Sequence, residues 1–488
     1  MSIQYSSYQN DLFAKIEERT GHVMVNAVAG SGKTFSLLEC MRRSVGDSIF
    51  VAFNKSIATE LATKVPSHVQ AQTLHSFGFA AIRKAFGGYI KADAKKLSFI
   101  MQKYPATMFT QSMTGKEKAQ VFQVRQQITD LISIWKATLI DYNNNEEVVK
   151  TASYYGINYD PAVLGAARSI MDKSIAIHNF VDFNDMIYMP VALGLKVPQF
   201  SNIFVDECQD LNRSQIELVM KMVRKPNGRI IAVGDPKQSI YGFRGADVNA
   251  MTRIQEALNA TVMPLSVCYR CPTSHLDLAR EIVPNIENRP DAPKGEIENI
   301  TVDAFTTKVD KEKEPLVLCR TNAPLISYAI RLIKEGKKAH VRGTDIGNFL
   351  RGLVIGFNTH SIAEFNSKVD EWENAQLEQL EKRRASNAVK ENIIDYADVL
   401  REFGKQCANP FDIVKMIDRI FSDNIDGTIF SSVHRAKGLE AETVYIIRPD
   451  QLPLVRKDQQ EWEIQQELNL KYVALTRSKN RLVFVNAE

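Results

Sequence analysis

The segment AVAGSGKT at residues 27–34 limits what this chain can fold into more than any other feature. It follows an apolar run, HVMVNAV (22–28), that predicts a strand, and it precedes a predicted helix. Its two glycines let backbone N–H groups surround phosphate oxygens, and the positive end of the helix adds to the attraction. Lys33 would reach the β- and γ-phosphates of a nucleotide, and the Thr34 hydroxyl would hold Mg²⁺. The segment predicts a phosphate-binding loop in a parallel α/β fold.

A second motif, NIFVDECQD (202–210), reads as a strand that ends in two adjacent carboxylates. The tip of such a strand would present Asp206 to the metal ion and Glu207 to the attacking water. Taken alone, an acidic pair after a strand more often belongs to a loop or a helix cap. Downstream of a phosphate-binding loop in the same sheet, the pair indicates hydrolysis of a nucleoside triphosphate.

Apolar runs alternate with predicted helices along much of the chain, which is the pattern of parallel sheets. The runs predicted as strands are 22–28, 48–54, 202–207, 229–235, 315–320, 338–343, 428–434, 443–448 and 481–486. The charged segment 370–386 is expected to form a solvated helical arm. The sequence predicts an α/β fold of two domains with parallel sheets, each carrying a helical insertion. The first domain is expected at 1–85 and 183–262 with its insertion at 86–182, and the second at 263–355 and 413–488 with its insertion at 356–412.

Composition adds a few limits. A chain of 488 residues is too long for one hydrophobic core, and a net charge of +4 neither requires nor excludes a polyanionic partner. Six scattered cysteines suggest a reducing compartment. No apolar stretch approaches the roughly 18 residues of a membrane span, and we expect no secretory signal because the N-terminal residues show no basic start followed by an apolar core. We expect a cytoplasmic or nucleoid-associated protein that has no membrane partner.

The segment AVGDPKQSIYGFRGAD (232–247) resembles the third motif of the UvrD, PcrA and Rep branch of superfamily 1 helicases. Other segments resemble the branch's remaining motifs in the same order: YSSYQNDL around Gln9, 51–61, 71–79, 265–272, 318–324, 430–444 and 467–482. Together VAFNKSIATEL, TLHSFG and LCRTNAP look closest to the F-box DNA helicase subgroup, here without an F-box. The resemblance implies two RecA-like P-loop domains.

The resemblance also implies that ATP and Mg²⁺ bind in the cleft between the two domains. Gln9 would read the adenine edge, and Tyr269 would stack on the ring. Gln238, Arg270 and Arg477 would act on the γ-phosphate with Lys33 and Glu207, because positive charge stabilises the transition state when the cleft closes. The other expected nucleotide-binding residues are Ala29, Gly30, Ser31, Gly32, Thr34, Phe35, Gly438 and Glu440. Phe35 stands where PcrA-like helicases commonly have Arg, and it would either stack on the base or pack in the core.

Single-stranded DNA would cross the tops of both domains, where aromatic side chains stack bases and polar side chains contact phosphates or sugars. The expected residues are Phe53, Asn54, Lys55, Thr73, His75, Tyr241, Phe243, Arg244, Arg320, Asn322, Ser432 and His434. Phe53 is equally compatible with a core position in its strand. The two histidines are not expected to be zinc ligands, because no Cys or His partner lies at metal spacing.

The resemblance implies an ATP-dependent translocase and 3′→5′ DNA helicase acting on single strands and single-strand/duplex junctions. The chain ends soon after its last motif, where UvrD-like enzymes continue into a duplex-splitting hairpin. The alternative is therefore a protein-displacing translocase or the motor subunit of a repair, recombination, replication or defence complex, with unidentified protein partners. A nucleotide-gated binding module and an RNA motor remain further alternatives.

Overall fold

The computed structural model describes residues 4–52, 55–104, 107–108, 113, 115–155, 157, 159–242, 249–382, 387–421, 427–457 and 459–486. The chain divides into two compact units. Met1–Val28 and Gly32–Ser266 form the first, and Ala29–Ser31 and Val267–Glu488 form the second. Among the described helices, none combines the length and apolar character needed to cross a membrane.

The first unit is built on a six-stranded parallel sheet in the order β3-β2-β6-β7-β1-β8. A separate two-stranded ribbon pairs β4 with β5. The strands are β1 (Val23–Ala27), β2 (Ser48–Ala52), β3 (Val69–Thr73), β4 (Lys91–Ala92), β5 (Phe180–Val181), β6 (Asn202–Val205), β7 (Arg229–Gly234) and β8 (Thr261–Leu265). The interior strands are apolar along their length because helices cover both faces of the sheet.

Side chains of the interior strands alternate between two cores, as the period of a strand requires. Phe50 and Phe204 pack on one face with the first two helices, whereas Ile49 and Ile203 pack on the other. The helices of this unit are α1 (Ser7–Glu17), α2 (Lys33–Arg43), α3 (Lys55–Ala62), α4 (Leu74–Phe86), α5 (Lys96–Met101), α6 (Gly115–Thr138), α7 (Asn145–Tyr154), α8 (Leu164–Ala176), α9 (Phe183–Ala192), α10 (Arg213–Lys221) and α11 (Ala250–Leu258).

Helices α5 to α8 lie in the predicted insertion and share a core with α4 and α9. That core encloses a polar centre. The carboxylate of Asp185 is fully buried and accepts hydrogen bonds from Lys96 and Lys136, each at 2.7 Å. Lys136 also donates a hydrogen bond to Asp182, at 3.2 Å. A buried charge without a partner is strongly destabilising, so these side chains tie α9 to α5 and α6 only as a complete set.

The second unit has its own six-stranded parallel sheet, in the order β11-β16-β15-β12-β14-β13, and a short pair of β9 with β10. Its strands are β9 (Val267–Cys268), β10 (Glu287–Asn288), β11 (Glu296–Ile300), β12 (Leu316–Cys319), β13 (Ala339–Val341), β14 (Thr428–Ser432), β15 (Ala441–Ile447) and β16 (Ser478–Val485). All nine apolar runs predicted as strands overlap strands of the two sheets. The predicted fold class is confirmed.

The helices of the second unit are α12 (Thr273–Arg280), α13 (Val302–Lys308), α14 (Asn322–Lys334), α15 (Thr344–Phe357), α16 (Ile362–Lys382), α17 (Asn387–Gln406), α18 (Pro410–Ile420) and α19 (Glu461–Leu475). The segment predicted as a solvated arm at 370–386 is helical in its described part, and none of its described side chains is fully buried. It continues α16 beyond Phe365 and Val369, which lie in the core of this unit, and Trp372 packs beside them. Arg401 of α17 pairs with Asp370 at 2.7 Å. The three apolar residues follow helical spacing.

Candidate functional site

The loop between β1 and α2 has the backbone of a phosphate-binding loop. Gly30 and Gly32 adopt φ values of 69° and 73°, which side chains with a Cβ rarely tolerate. Gly32 caps α2, so the helix begins at Lys33 and its first N–H groups lack intrahelical partners. The hydroxyl of Ser31 is buried and has no hydrogen-bond partner among the described residues. Such a loop offers donors that suit a phosphate group.

Hard oxygen donors for a cation lie beside this loop. The Thr34 hydroxyl donates to Oδ2 of Asp206 at 3.4 Å. Burial and the neighbouring carboxylate of Glu207 raise the pKa of Asp206 to about 6, against the opposing effect of Lys33. In the described part of the chain, no group of three or more His, Cys, Asp or Glu side chains is placed to hold a metal ion. One carboxylate and one hydroxyl fit Mg²⁺, which keeps several waters and binds substrate phosphates.

Glu207 follows β6 in a left-handed backbone conformation, with φ of 50°. Such strain in a residue other than glycine clusters at functional sites. The side-chain amide N–H of Gln209 donates to the Glu207 carboxylate at 2.5 Å. The side-chain carbonyl of Gln209 accepts a hydrogen bond from the backbone N–H of Asp235 at 3.1 Å. The sequence analysis missed Gln209, although its position two residues after Glu207 was a usable signal. Gln209 joins the acidic strand end to the loop that follows β7.

That loop carries Gln238, whose amide donates to Asp235 at 2.6 Å. Burial raises the pKa of Asp235. Gly234 leaves the space that this arrangement needs, because a Cβ there would lie 2.6 Å from Oε1 of Gln209 and 2.8 Å from Sγ of Cys208. The structure thus brings Lys33, Thr34, Asp206, Glu207 and Gln238 to neighbouring ends of β1, β6 and β7, where the strands of a parallel α/β sheet form ligand sites.

Gln9 and Phe35 lie on the first two helices. Gln9 is buried and its amide donates to the Ser36 hydroxyl at 3.0 Å, while its carbonyl accepts the N–H of Ser6 at 3.0 Å. Phe35 is 36% exposed, and its ring centroid is 6.1 Å from that of Tyr5. Phe35 was expected either to stack on the base or to pack in the core, and its exposure is not that of a core residue.

In the second unit, Arg270 and Arg477 approach the same residue. Arg270 donates to the backbone carbonyl of Thr476 at 3.2 Å, and Arg477 donates to the hydroxyl of Thr476 at 3.2 Å. Arg270 also pairs with Glu440 at 2.6 Å. Gly438 has φ of 88°, and Tyr269, next to Arg270, is half-buried. One region of this unit therefore holds five of the expected nucleotide-site residues, namely Tyr269, Arg270, Gly438, Glu440 and Arg477.

The expected DNA residues of the first unit are only partly described. Phe53, Asn54, Phe243 and Arg244 lie outside the described residues; Lys55 begins α3 and Tyr241 is half-buried. Thr73 caps α4 by accepting the N–H of Ser76 at 3.2 Å.

The ring of His75, at the start of α4, lies 6.2 Å from that of Phe183, edge to face at 75°. Burial lowers the pKa of His75. Phe183 is 59% exposed at the start of α9. Phe183 is not among the residues predicted from the sequence, where an aromatic residue directly after the helix cap Asp182 was the available signal.

The expected DNA residues of the second unit have intramolecular partners or limited exposure. Arg320 makes a two-pronged ion pair with Glu467, in which Nη2 donates to Oε1 at 2.5 Å and Nε donates to Oε2 at 2.9 Å. The amide of Asn322 donates to Asp395 at 2.6 Å. Ser432 is buried at the end of β14, and His434 is half-buried in the following turn. A phosphate would compete with carboxylates for Arg320 and Asn322.

A phosphate-binding loop, an acidic strand end and two six-stranded parallel sheets define a P-loop protein with two RecA-like domains. Residues 9–259 match the UvrD/REP helicase N-terminal domain, and residues 355–488 match the UvrD-like helicase C-terminal domain. The chain therefore belongs to the UvrD/Rep helicase family.

Relatives agree with this assignment. F-box DNA helicase 1 of Gallus gallus is 26% identical, over 96% of this chain and 47% of its own length. F-box DNA helicase protein 1 of Schizosaccharomyces pombe is 25% identical, over 97% of this chain and 57% of its own. ATP-dependent DNA helicase PcrA of Bacillus subtilis is 34% identical over 30% of this chain and 20% of its own. The expected resemblance to F-box DNA helicases is confirmed, and this chain spans about half the length of those two relatives.

Proposed function

We propose that this protein is a DNA-dependent ATPase that moves along single-stranded DNA in the 3′→5′ direction and separates duplexes at junctions. The observation that carries the proposal is the 3.4 Å approach of Thr34 to Asp206, with Glu207 next in the chain. It joins Thr34, which directly follows the phosphate-binding glycines, to the acidic end of β6 within the first unit. The direction rests on the resemblance to UvrD, PcrA and Rep alone.

ATP would be held by the loop Ala29–Phe35, with Gln9, Tyr269, Gly438 and Glu440 as further contacts. Lys33 would neutralise the β- and γ-phosphates, and Glu207 would orient and deprotonate the attacking water. Bound Mg²⁺, held by Thr34 and Asp206, would supply charge stabilisation of the phosphates.

Gln238, Arg270 and Arg477 would respond to the γ-phosphate and stabilise the charge that develops as its bond breaks. The hydrogen bonds that connect Glu207, Gln209 and Asp235 support a coupling between ATP hydrolysis and DNA binding. Asp235 binds Gln238, and Tyr241, an expected base-stacking residue, follows three positions later. Hydrolysis would change the hydrogen bonds of this loop and with them the hold on a base.

For DNA, we propose contacts at the twelve residues predicted from the sequence, extended by Phe183. Its exposed ring, held edge to face by His75, offers a stacking surface for a base. Two relatives are themselves named DNA helicases with F-boxes, and PcrA is named an ATP-dependent DNA helicase. These names support DNA over RNA as the substrate.

The decisive experiment measures ATP hydrolysis with and without single-stranded DNA, and then unwinding of duplexes with 3′ or 5′ tails. We expect stimulation by DNA, unwinding of the 3′-tailed duplex only, and loss of both activities in Lys33→Ala. Stimulation without unwinding would favour the protein-displacing translocase or motor subunit. Nucleotide binding without turnover would favour a gated binding module, and stronger stimulation by RNA than by DNA would indicate an RNA motor.

A further inference from the structure

Large exposed aromatic side chains flank strand β4 of the two-stranded ribbon in the sequence. Phe86, Tyr89 and Phe99 are 36%, 87% and 50% exposed, within a stretch of fourteen residues. Scattered exposed apolar residues are normal, whereas a cluster of them marks an interaction site. We define the ribbon surface as Phe86, Tyr89, Lys91, Phe99, Lys103 and Phe180. None of these residues belongs to a helicase motif noted above.

Contacts within the ribbon surface hold its rings in fixed orientations. Phe99 and Phe180 meet edge to face, with centroids 6.1 Å apart and an interplanar angle of 85°. The ammonium of Lys91 is 5.9 Å from the Phe180 ring, and that of Lys103 is 5.2 Å from the Phe99 ring. Phe86 stacks on His178 at 3.7 Å and 19°. The aromatic groups are therefore interleaved with cations.

The charge of this region is unusual for the chain. Residues 83–104 include five exposed basic side chains. The single carboxylate of this segment belongs to Asp93, which pairs with Lys91 at 2.9 Å. Lys96 does not count, because it is buried against Asp185. The exposed charges of this short segment therefore sum to +4. Such a concentration of positive charge attracts a polyanion.

We propose that the ribbon surface binds single-stranded nucleic acid, as a contact separate from the loops that carry the helicase motifs. Cations interleaved with exposed rings match a strand that offers phosphates and the faces of unpaired bases together. A duplex hides those faces by stacking. The proposal rests on the proposed function for the identity of the strand, which would be the DNA bound by the motor.

Helix α4 supports continuity with the motif loops. It carries His75 at its first turn and ends at Phe86, so the two rings belong to opposite ends of one helix. Their eleven-residue separation corresponds to about 16 Å of helix axis. A DNA strand bound at His75 would therefore need to extend by only the length of one helix to contact the ribbon surface.

The test uses the full chain and fluorescent oligo(dT) of about 10 and about 40 nucleotides, the shorter within the site size of one binding track. The triple variant Phe86→Ala, Tyr89→Ala, Phe99→Ala should bind the longer oligonucleotide at least about tenfold more weakly, since stacked bases are lost. Its affinity for the shorter one, and its ATPase activity stimulated by that oligonucleotide, should stay unchanged. The variant Lys91→Gln, Lys103→Gln should lower the salt dependence of binding by about 1.4 in log–log slope.

Phe411→Ala is the matched control. Phe411 is 66% exposed with Lys415 at 4.3 Å from its ring, but it lies on α18 in the second unit. Its removal should leave both affinities unchanged. Wild-type affinity of the triple variant for the longer oligonucleotide would overturn the proposal, as would equal losses for both lengths. If DNA fails to stimulate the wild-type ATPase, the proposed function itself fails.

Discussion

Gly78 of α4 lies against the backbone of α9, and its replacement by alanine should destabilise the first unit. A Cβ at this position would lie 1.8 Å from the carbonyl oxygen of Met186 and 2.9 Å from its carbonyl carbon. Ordinary contact begins near 3.4 Å, and the obstacle is helix backbone rather than a flexible side chain. The two helices must therefore move apart by more than 1 Å, at a cost of about 1–3 kcal/mol or more.

Part of this cost is offset, because alanine in a helix is about 1 kcal/mol more favourable than glycine. Gly165→Ala isolates that contribution, since a Cβ at Gly165 in α8 meets nothing within 4 Å. We expect Gly165→Ala to stabilise the unit slightly and Gly78→Ala to destabilise it, with a difference of about 1–3 kcal/mol between the variants.

Hydrogen exchange measured by mass spectrometry suits this test, because it reports each unit separately where one melting temperature would mix them. Peptides of α4 and α9 should exchange faster in Gly78→Ala, and peptides of the second unit should not. Binding of DNA should weaken as well, because the same helices hold His75 and Phe183 in contact. Protection in Gly78→Ala equal to that in Gly165→Ala would refute the reasoning.

Three further substitutions test other parts of the protein. Glu207→Gln should retain ATP binding by calorimetry while turnover falls about 10²–10⁴-fold, since general base catalysis is lost; unchanged turnover would remove Glu207 from the hydrolytic step. Tyr241→Ala should weaken single-strand binding by about 1–3 kcal/mol in anisotropy titrations, and wild-type affinity would exclude it from the DNA contacts. Asp185→Asn should destabilise the first unit by about 3–5 kcal/mol in urea unfolding, because the buried Lys96 loses its carboxylate partner and the buried Lys136 keeps only Asp182. The exposed Asp47 offers the control, and Asp47→Asn should cost less than about 1 kcal/mol; similar losses in both would contradict the role of burial.

Eight of the nine predicted strands lie inside a sheet with a strand on either side, and the ninth, β13, is a mostly buried edge strand. Three strands of the large sheets escaped prediction, namely β3, β8 and β11, and each is an edge strand. Their sequences, VQAQT, TVMPL and EIENI, carry polar residues or proline, and most of their side chains are exposed or half-buried. An edge strand needs less apolar surface because water covers part of it, so hydrophobic runs do not mark it.

The positions of the proposed nucleotide-site residues in the first unit follow from backbone motifs. Gly32 lies in a loop whose shape follows from local sequence, Lys33 and Thr34 begin α2, and Asp206 directly follows β6. Gln209 and Phe183 were not predictable in the same way. The role of Gln209 depends on a contact with Asp235, and that of Phe183 depends on the packing of α9 against α4. Such contacts join segments far apart in sequence.

The buried group of Lys96, Lys136, Asp182 and Asp185 has a consequence for how this lineage can vary. Losing any single member leaves an unbalanced charge in the core, whereas joint replacement by apolar side chains restores a neutral interior. Their effects on stability should be strongly non-additive. Gradual drift at one of these positions is therefore blocked, and we expect descendants to inherit all four residues together or to have exchanged them in concert.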